Sequence, residues 1–363
     1  MPGPLPTVAE LLSRIDFAAG TTLLVPDDPR PGSWVGGPSA VVDGETIVLA
    51  YRMRRPVGEG RGFANVIAVS EDGETPRTVA VIDRERHDCD SLERPCLVRT
   101  PEGRWRLYIS CATVGSKHWR VDLLEADTLE GLPDAPPRTV LAGDPAVVAV
   151  KDPVIRWVPG ADEAGAAGKA GAAGRASAAG RAAAAGSAAA AEGAAAAGSA
   201  GLADIAGHVV SAGEQSGTWH LWASCHPLDD PDATDRMTVD HATSTDGIDW
   251  TWQGTVLTGT AGTWDARGVR PAALLDVADG LLMFYDGRAS AAENWEERTG
   301  AALSAGVDGI FRPVAAAPVF VSPEGSGGLR YLTAVTDPGS GRTRIFYESA
   351  RTDGGHELRT QLL

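Results

Sequence analysis

Four prolines in this sequence follow a residue whose side chain could do chemistry, or follow a glycine where one is missing. They stand in Gly37-Pro38-Ser39, Glu93-Arg94-Pro95, Lys151-Asp152-Pro153 and Arg270-Pro271-Ala272, 57, 58 and 118 residues apart. A proline that opens a strand needs no ladder partner for the N–H it lacks, and it restrains the residue before it to an extended conformation. The preceding side chain is thereby held in a defined direction. Glu93, Arg94, Lys151, Asp152 and Arg270, with Asp265 and Arg267 just ahead of the fourth proline, are therefore the first candidates for chemistry. Two carboxylates facing a glycosidic bond can supply an acid and a base, and nearby arginines can orient a carboxylate or bind substrate oxygens.

A repeated strand unit must position these residues. Five short runs share one apolar and aromatic pattern: 46–52, 105–111, 219–225, 281–287 and 344–349. Each is short and rich enough in aromatic and β-branched residues for a strand covered on both faces. The proline segments precede the runs, with 328–335 as a fifth that lacks the Pro. A third strand follows each run, at 63–70, 119–126, 237–244, 299–305 and 356–362, and several of these end in Asp-Gly turns such as Asp72-Gly73 and Asp246-Gly247. Fourth strands are expected near 77–82, 138–141, 250–257 and 311–314. The N-terminal run Thr21-Thr22-Leu23-Leu24-Val25 is left to close the fifth unit.

Four strands per unit, repeated five times, predict an all-β, five-bladed β-propeller. The expected blades are 34–83, 92–141, 150–257, 268–315 and 328–363, with a closing strand at 21–26. A β-sandwich also has many short strands, but not five units of one internal order. The Ala- and Gly-dominated segment 160–207 reads as a low-complexity insertion in blade three, without the larger apolar residues that would dock a helix.

Composition narrows the function classes. The 363 residues carry a formal charge of −16, which disfavours nucleic acid and anionic membranes and suits a neutral polar ligand. No stretch reads as a secretory signal or a membrane span, so a cytoplasmic location is expected. Cys89, Cys96, Cys111 and Cys225 form no disulfide framework, and Cys111 and Cys225 sit where a small buried apolar residue belongs. His220, His226 and His241 lie close together but lack a carboxylate or Cys to complete a metal signature; no metal or cofactor is expected. Of ten Trp, Trp34, Trp119, Trp264 and Trp295 lie near loops or strand starts, and Trp264 beside Asp265 is a candidate for stacking on a sugar ring.

The five-unit plan, the Asp-Pro motif and the acidic residues at inner strand starts resemble the glycoside hydrolase clan of arabinanases, β-xylosidases and arabinofuranosidases, with the related invertase and levansucrase group. The resemblance implies a small carbohydrate or glycoside as partner and bond cleavage by paired carboxylates. Such enzymes usually place an Asp base in blade one, an orienting Asp in blade two and a Glu acid in blade three. Here blade one offers Gly37-Pro38-Ser39 and no carboxylate. The resemblance then assigns Glu93, Asp152 and Asp265 as catalytic candidates, with Arg54, Arg94, Arg270, Trp264, Asp286 and Arg288 as substrate-binding ones. Two alternatives accompany it. One is a noncatalytic carbohydrate-binding propeller; the other is a phosphorylase-like enzyme, whose relatives hold phosphate with basic residues.

Overall fold

The computed structural model describes residues 4–160, 216–230 and 236–363. The expected insertion lies, from residue 161 on, outside the described residues. The chain forms two compact units, Met1–Trp157 with Trp219–Leu363 and Val158–Thr218; the site lies in the first.

The structure is nearly all β and consistent with a β-propeller. Its strands form five antiparallel meanders. The first contains Trp34–Asp43, Thr46–Arg54, Gly62–Ser70 and Arg77–Asp83. In the second, Cys89–Leu92 and Cys96–Arg99 are two pieces of one inner strand on Trp105–Thr113, followed by Trp119–Ala126 and Arg138–Leu141. The third holds Val148–Pro159, Gly217–Pro227, Thr238–Ser244 and Thr251–Leu257, and the fourth Gly268–Val277, Gly280–Arg288, Arg298–Ser304 and Arg312–Pro313. The fifth has three consecutive strands, Leu329–Thr336, Thr343–Ala350 and His356–Leu362, and takes Thr21–Leu24 as an antiparallel neighbour of the last. A single parallel bridge, Trp34 to His356, links the first and fifth sheets.

Both faces of each second strand are buried, because its residues alternate between two cores. Ile47, Leu49 and Tyr51 pack toward the fifth meander with Phe346 and Leu358, while Val48 and Ala50 pack toward the second with Leu107 and Ile109. The same alternation recurs around the molecule, so the second meander packs on the third, the third on the fourth and the fourth on the fifth. Cys111 and Cys225 fill two of these cores as free thiols. The N-terminal residues add a short helix, Val8–Arg14, with a Thr7/Glu10 capping box and Leu11 buried in the fourth–fifth core. No helix among the described residues is long and apolar enough to cross a membrane.

A bulge aims residues from the inner strands toward one centre. The register between inner and second strands slips at Gly36/Ser39, Pro271/Ala273 and Arg330/Thr333, and the second meander breaks its inner strand at 93–95. Bulges bend a strand and redirect a side chain. Here the structure departs from the extended pre-proline conformation expected from sequence: Gly37 and Asp152 have φ of 60° and 52°, and Tyr331, at the same place in the fifth meander, 55°. The left-handed region is costly for Asp and more so for Tyr, and such strain persists only where the surroundings impose it.

The missing blade-one carboxylate also has a steric reason. A Cβ on Gly36 would lie 2.1 Å from Oε2 of Glu348, so the first meander leaves its inner position vacant and the fifth fills it. Glu348 is fully buried and held by Arg52, Arg330 and His356, and cannot swing aside cheaply. Gly36→Ala is expected to cost about 2–3 kcal/mol by overpacking. Urea denaturation measures this, and an unchanged midpoint would show that Glu348 is free to move.

Candidate functional site

The bulged residues and their second-strand partners form a buried charge network. Arg52 lies opposite Gly36, Asp286 opposite Arg270 and Glu348 opposite Arg330, so equivalent ladder positions supply complementary groups. Arg52 is paired closely with Glu93 through Nη1 and donates from Nη2 to Oε2 of Glu348 at 3.0 Å. Arg330 donates to Glu348 and to Glu297, both at 2.7 Å. Arg288 meets the other oxygen of Glu297 at 2.5 Å, and Arg270 binds Asp286 at 2.9 Å. Tyr331 sits among these cations, with the guanidinium carbons of Arg270, Arg330 and Arg52 at 3.9, 5.2 and 5.3 Å from its ring centre, and its N–H donates to Asp286. Aromatic faces attract cations, and here the ring holds together guanidiniums that repel one another.

The electrostatics follow from burial against these neighbours. Burial alone would raise the Glu297 and Glu348 carboxyls, but Arg270, Arg330 and Arg288 hold the first well below the carboxylate range, and Arg330 and Arg52 hold the second there. Burial likewise opposes the charge of Asp152, yet Lys151 and Arg270 outweigh it and lower its pKa. Asp286 goes the other way: burial pushes it up to about 6 despite Arg270. Burial draws the Lys151 ammonium down to about 8 against the pull of Asp152 at 3.5 Å.

A cavity of about 230 Å³ opens onto this network. Among the described residues its carboxylates are Glu93 and Glu297. Its cations are Arg52, Arg61, Lys117, Lys151, Arg270, Arg288 and Arg330, and Trp119, Trp295 and Tyr331 add aromatic surface.

The residues singled out from sequence divide into three groups. Glu93, Arg270 and Arg288 line the cavity. Asp152 and Asp286 lie behind its wall, both fully buried; neither oxygen of Asp152 has a hydrogen-bond donor, and it is held by the ion pairs to Lys151 and to Arg270 at 3.7 Å. Arg94, Arg54, Trp264 and Asp265 are engaged away from the cavity. Arg94 donates to the carbonyls of Pro38, Pro271 and Ala272. Arg54 is stacked on Trp34 at 3.7 Å and near Trp295 at 5.1 Å, where burial and the repulsion of Arg52 and Arg330 disfavour its charge, although a guanidinium stays protonated. Trp264 stacks on Tyr285, and Asp265 accepts from Tyr285 Oη at 2.9 Å and from the Thr260 N–H at 3.0 Å, so this pair fixes the start of the fourth meander.

Glu297, Arg52, Arg61, Arg330 and Glu348 were not singled out as site residues by the sequence pattern. For two of them a signal existed: Tyr51-Arg52 and Tyr347-Glu348 stand near the ends of their second strands just as Tyr285-Asp286 does. Glu297 lies in the segment 292–298, which carries three Glu and Trp295 and no repeat signal. Among the histidines, Asp308 comes within 3.7 Å of His220, a carboxylate that sequence spacing did not reveal. His220 and His241 have facing nitrogens 3.1 Å apart and rings 10° from parallel with centres 5.3 Å apart, the geometry of an N–H···N hydrogen bond.

No protein-family model matches the chain, and no curated protein matches it by sequence. Solved structures do match in fold. A thermostable family-43 glycoside hydrolase aligns over 94% of this chain and 93% of its own, with 9% identity and a TM-score of 0.57. A glycosyl hydrolase from Bacteroides ovatus aligns over 95% and 94%, with 13% identity and a TM-score of 0.57. A third comes from work on the family-130 mannoside phosphorylases, a family that contains hydrolases targeting β-1,2-mannosidic linkages in Candida mannan; it aligns over 95% of both chains, with 14% identity and a TM-score of 0.54. The chain is thus similar in fold, over nearly its whole length, to β-propeller glycoside hydrolases.

Proposed function

We propose that this chain is a glycoside-cleaving enzyme of hydrolase type on a five-bladed propeller, with blades 34–83, 92–141, 150–257, 268–315 and 328–363 closed by 21–26. The observation that carries the reading is the meeting of Glu93 and Glu297 on the wall of one cavity, in a fold shared with glycoside hydrolases. Cleavage needs one carboxyl group to protonate the departing oxygen and a second, ionised, to activate water or to stabilise the positive charge that develops on the sugar. Glu297 suits the second role, because three arginines keep it ionised. Glu93 is left for the first: Arg52 takes Oε2, and Oε1, 3.9 Å from Arg61, is the oxygen that would carry the proton. Asp152 then acts as a positioning residue through Lys151 and Arg270, not as a group that touches substrate.

A panel of nitrophenyl glycosides and oligosaccharides tests the assignment. Glu93→Gln and Glu297→Gln are each expected to lower kcat at least about 100-fold in folded protein. A wild-type chain that binds sugars without any turnover would replace hydrolysis with the binding-module reading.

The charge network also fixes a dependence on acid. The stability contributed by Glu297, Glu348 and Asp152, whose folded pKa values lie below the unfolded ones, is present above ordinary carboxylate pKa values and is lost as pH falls through the folded ones. Asp286 has the opposite sign, because it takes up a proton in the folded protein below about 6. Thermal melts from pH 8 to 3 are therefore expected to change little or rise slightly toward pH 5 and to fall steeply below about pH 4. A melting temperature that keeps rising to pH 3 would contradict the ionised state of the network.

A further inference from the structure

The net charge of −16 favours a neutral ligand, but the cavity has the opposite balance. With Lys117 and Arg288 set aside, Arg52, Arg61, Lys151, Arg270 and Arg330 still face only Glu93 and Glu297 among the described carboxylates of the lining. Asp152, Asp286 and Glu348 pair with Lys151, Arg270, Arg52 and Arg330 from behind the wall, so the side turned to the cavity presents more positive than negative groups and suits a ligand that carries negative charge.

On the reading that this cavity is the catalytic one, we propose that it accepts a substrate carrying an oxyanion, carboxylate or phosphate, seated over the Trp119 indole between Arg61 and Lys151. The nearest carboxylate to each of these two cations stands farther off than those of Arg52, Arg270 and Arg330, at 3.9 Å from Arg61 to Glu93 and 3.5 Å from Lys151 to Asp152. Both lie against one ring: the Lys151 ammonium is 4.7 Å and the Arg61 guanidinium 5.7 Å from the centre of Trp119. Guanidinium and ammonium groups donate and never accept, so a neutral sugar satisfies these donors without balancing their charge, whereas an oxyanion does both. Arg61 is held at φ 43°, a strained conformation for a long side chain and one that persists where the surroundings fix it.

The oxyanion belongs either to the sugar or to a free anion that enters beside it, and the arms of one experiment separate the two. Isothermal titration of the full chain uses glucuronate, galacturonate, glucose 1-phosphate, glucose, galactose and inorganic phosphate, at low and high salt. At least one acidic probe is expected to bind about tenfold or more tighter than its neutral parent. Lys151→Met and Arg61→Gln should each lower the affinity for the acidic probe at least about fivefold more than that for its neutral parent, and Lys151→Arg should restore much of the preference. A sugar acid that binds where inorganic phosphate does not assigns the anion to the substrate; inorganic phosphate bound as tightly as the sugar acids assigns it to a second reactant. Equal affinities for glucose and glucuronate, no binding by any acidic probe, or folded variants that keep the full preference would overturn the proposal. The same titrations on Glu93→Gln separate the two readings: an intact anion preference alongside a wild type without turnover sinks hydrolysis alone, and turnover of neutral glycosides without the preference sinks the oxyanion alone.

Discussion

The structure depends on one buried guanidinium. Arg52 joins Glu93 of the second meander to Glu348 of the fifth, and so ties both neighbours of the first meander to it across the centre. Two buried ion pairs to a single cation are expensive to desolvate, and the attraction repays that cost only when the geometry is well satisfied. The neighbouring groups satisfy it: Glu348 also accepts from Arg330 and His356, and Arg330 passes the connection to Glu297 in the fourth meander. The apolar cores between meanders supply most of the burial, but none of them fixes where the inner ends of the strands meet. Removing one member of the network would leave a buried charge uncompensated, so the network specifies geometry as much as it stabilises.

The strand pattern was legible because burial on both faces leaves a plain imprint. Runs such as Thr46–Arg54 and Gly280–Arg288 read as continuous apolar segments, and they recur at intervals that survive the loss of one proline. The positions that converge were legible too, since the residue before each proline marks the bulge. Conformation at those positions was not. The pre-proline rule describes a local preference, and the network overrides it at Asp152, as it imposes a positive φ on Tyr331. Space was hidden as well: the segment around Gly37-Pro38-Ser39 shows no carboxylate in sequence, and the neighbouring Gly36 becomes room for Glu348 only once the fifth meander lies beside the first.

The site itself was half visible. Glu93 and Arg270 stood out because they belong to the motif, while Glu297 sits in a loop that carries no repeat signal and reaches the cavity only through the fold. Asp265 shows the converse. Its proximity to the fourth proline suggested chemistry, yet a turn with Thr260 and the Tyr285 hydroxyl claim both of its oxygens. A carboxylate near a strand start can organise the turn that begins the strand as well as face a ligand, and only the partner distinguishes the two. Net charge was silent on this point, because a chain average says little about a cavity that gathers cations from several meanders.

The short strand Thr21–Leu24 pairs with residues 358–360, and the helix before it buries Leu11 between the fourth and fifth meanders. The loop closed by that pairing spans almost the whole chain. During synthesis the early segment therefore has no mate until residues near 360 are made, and the inner charges of the first meander must wait for Glu348 before they are neutralised. The pairing joins segments more than 330 residues apart, so its closure entropy weighs against forming it early.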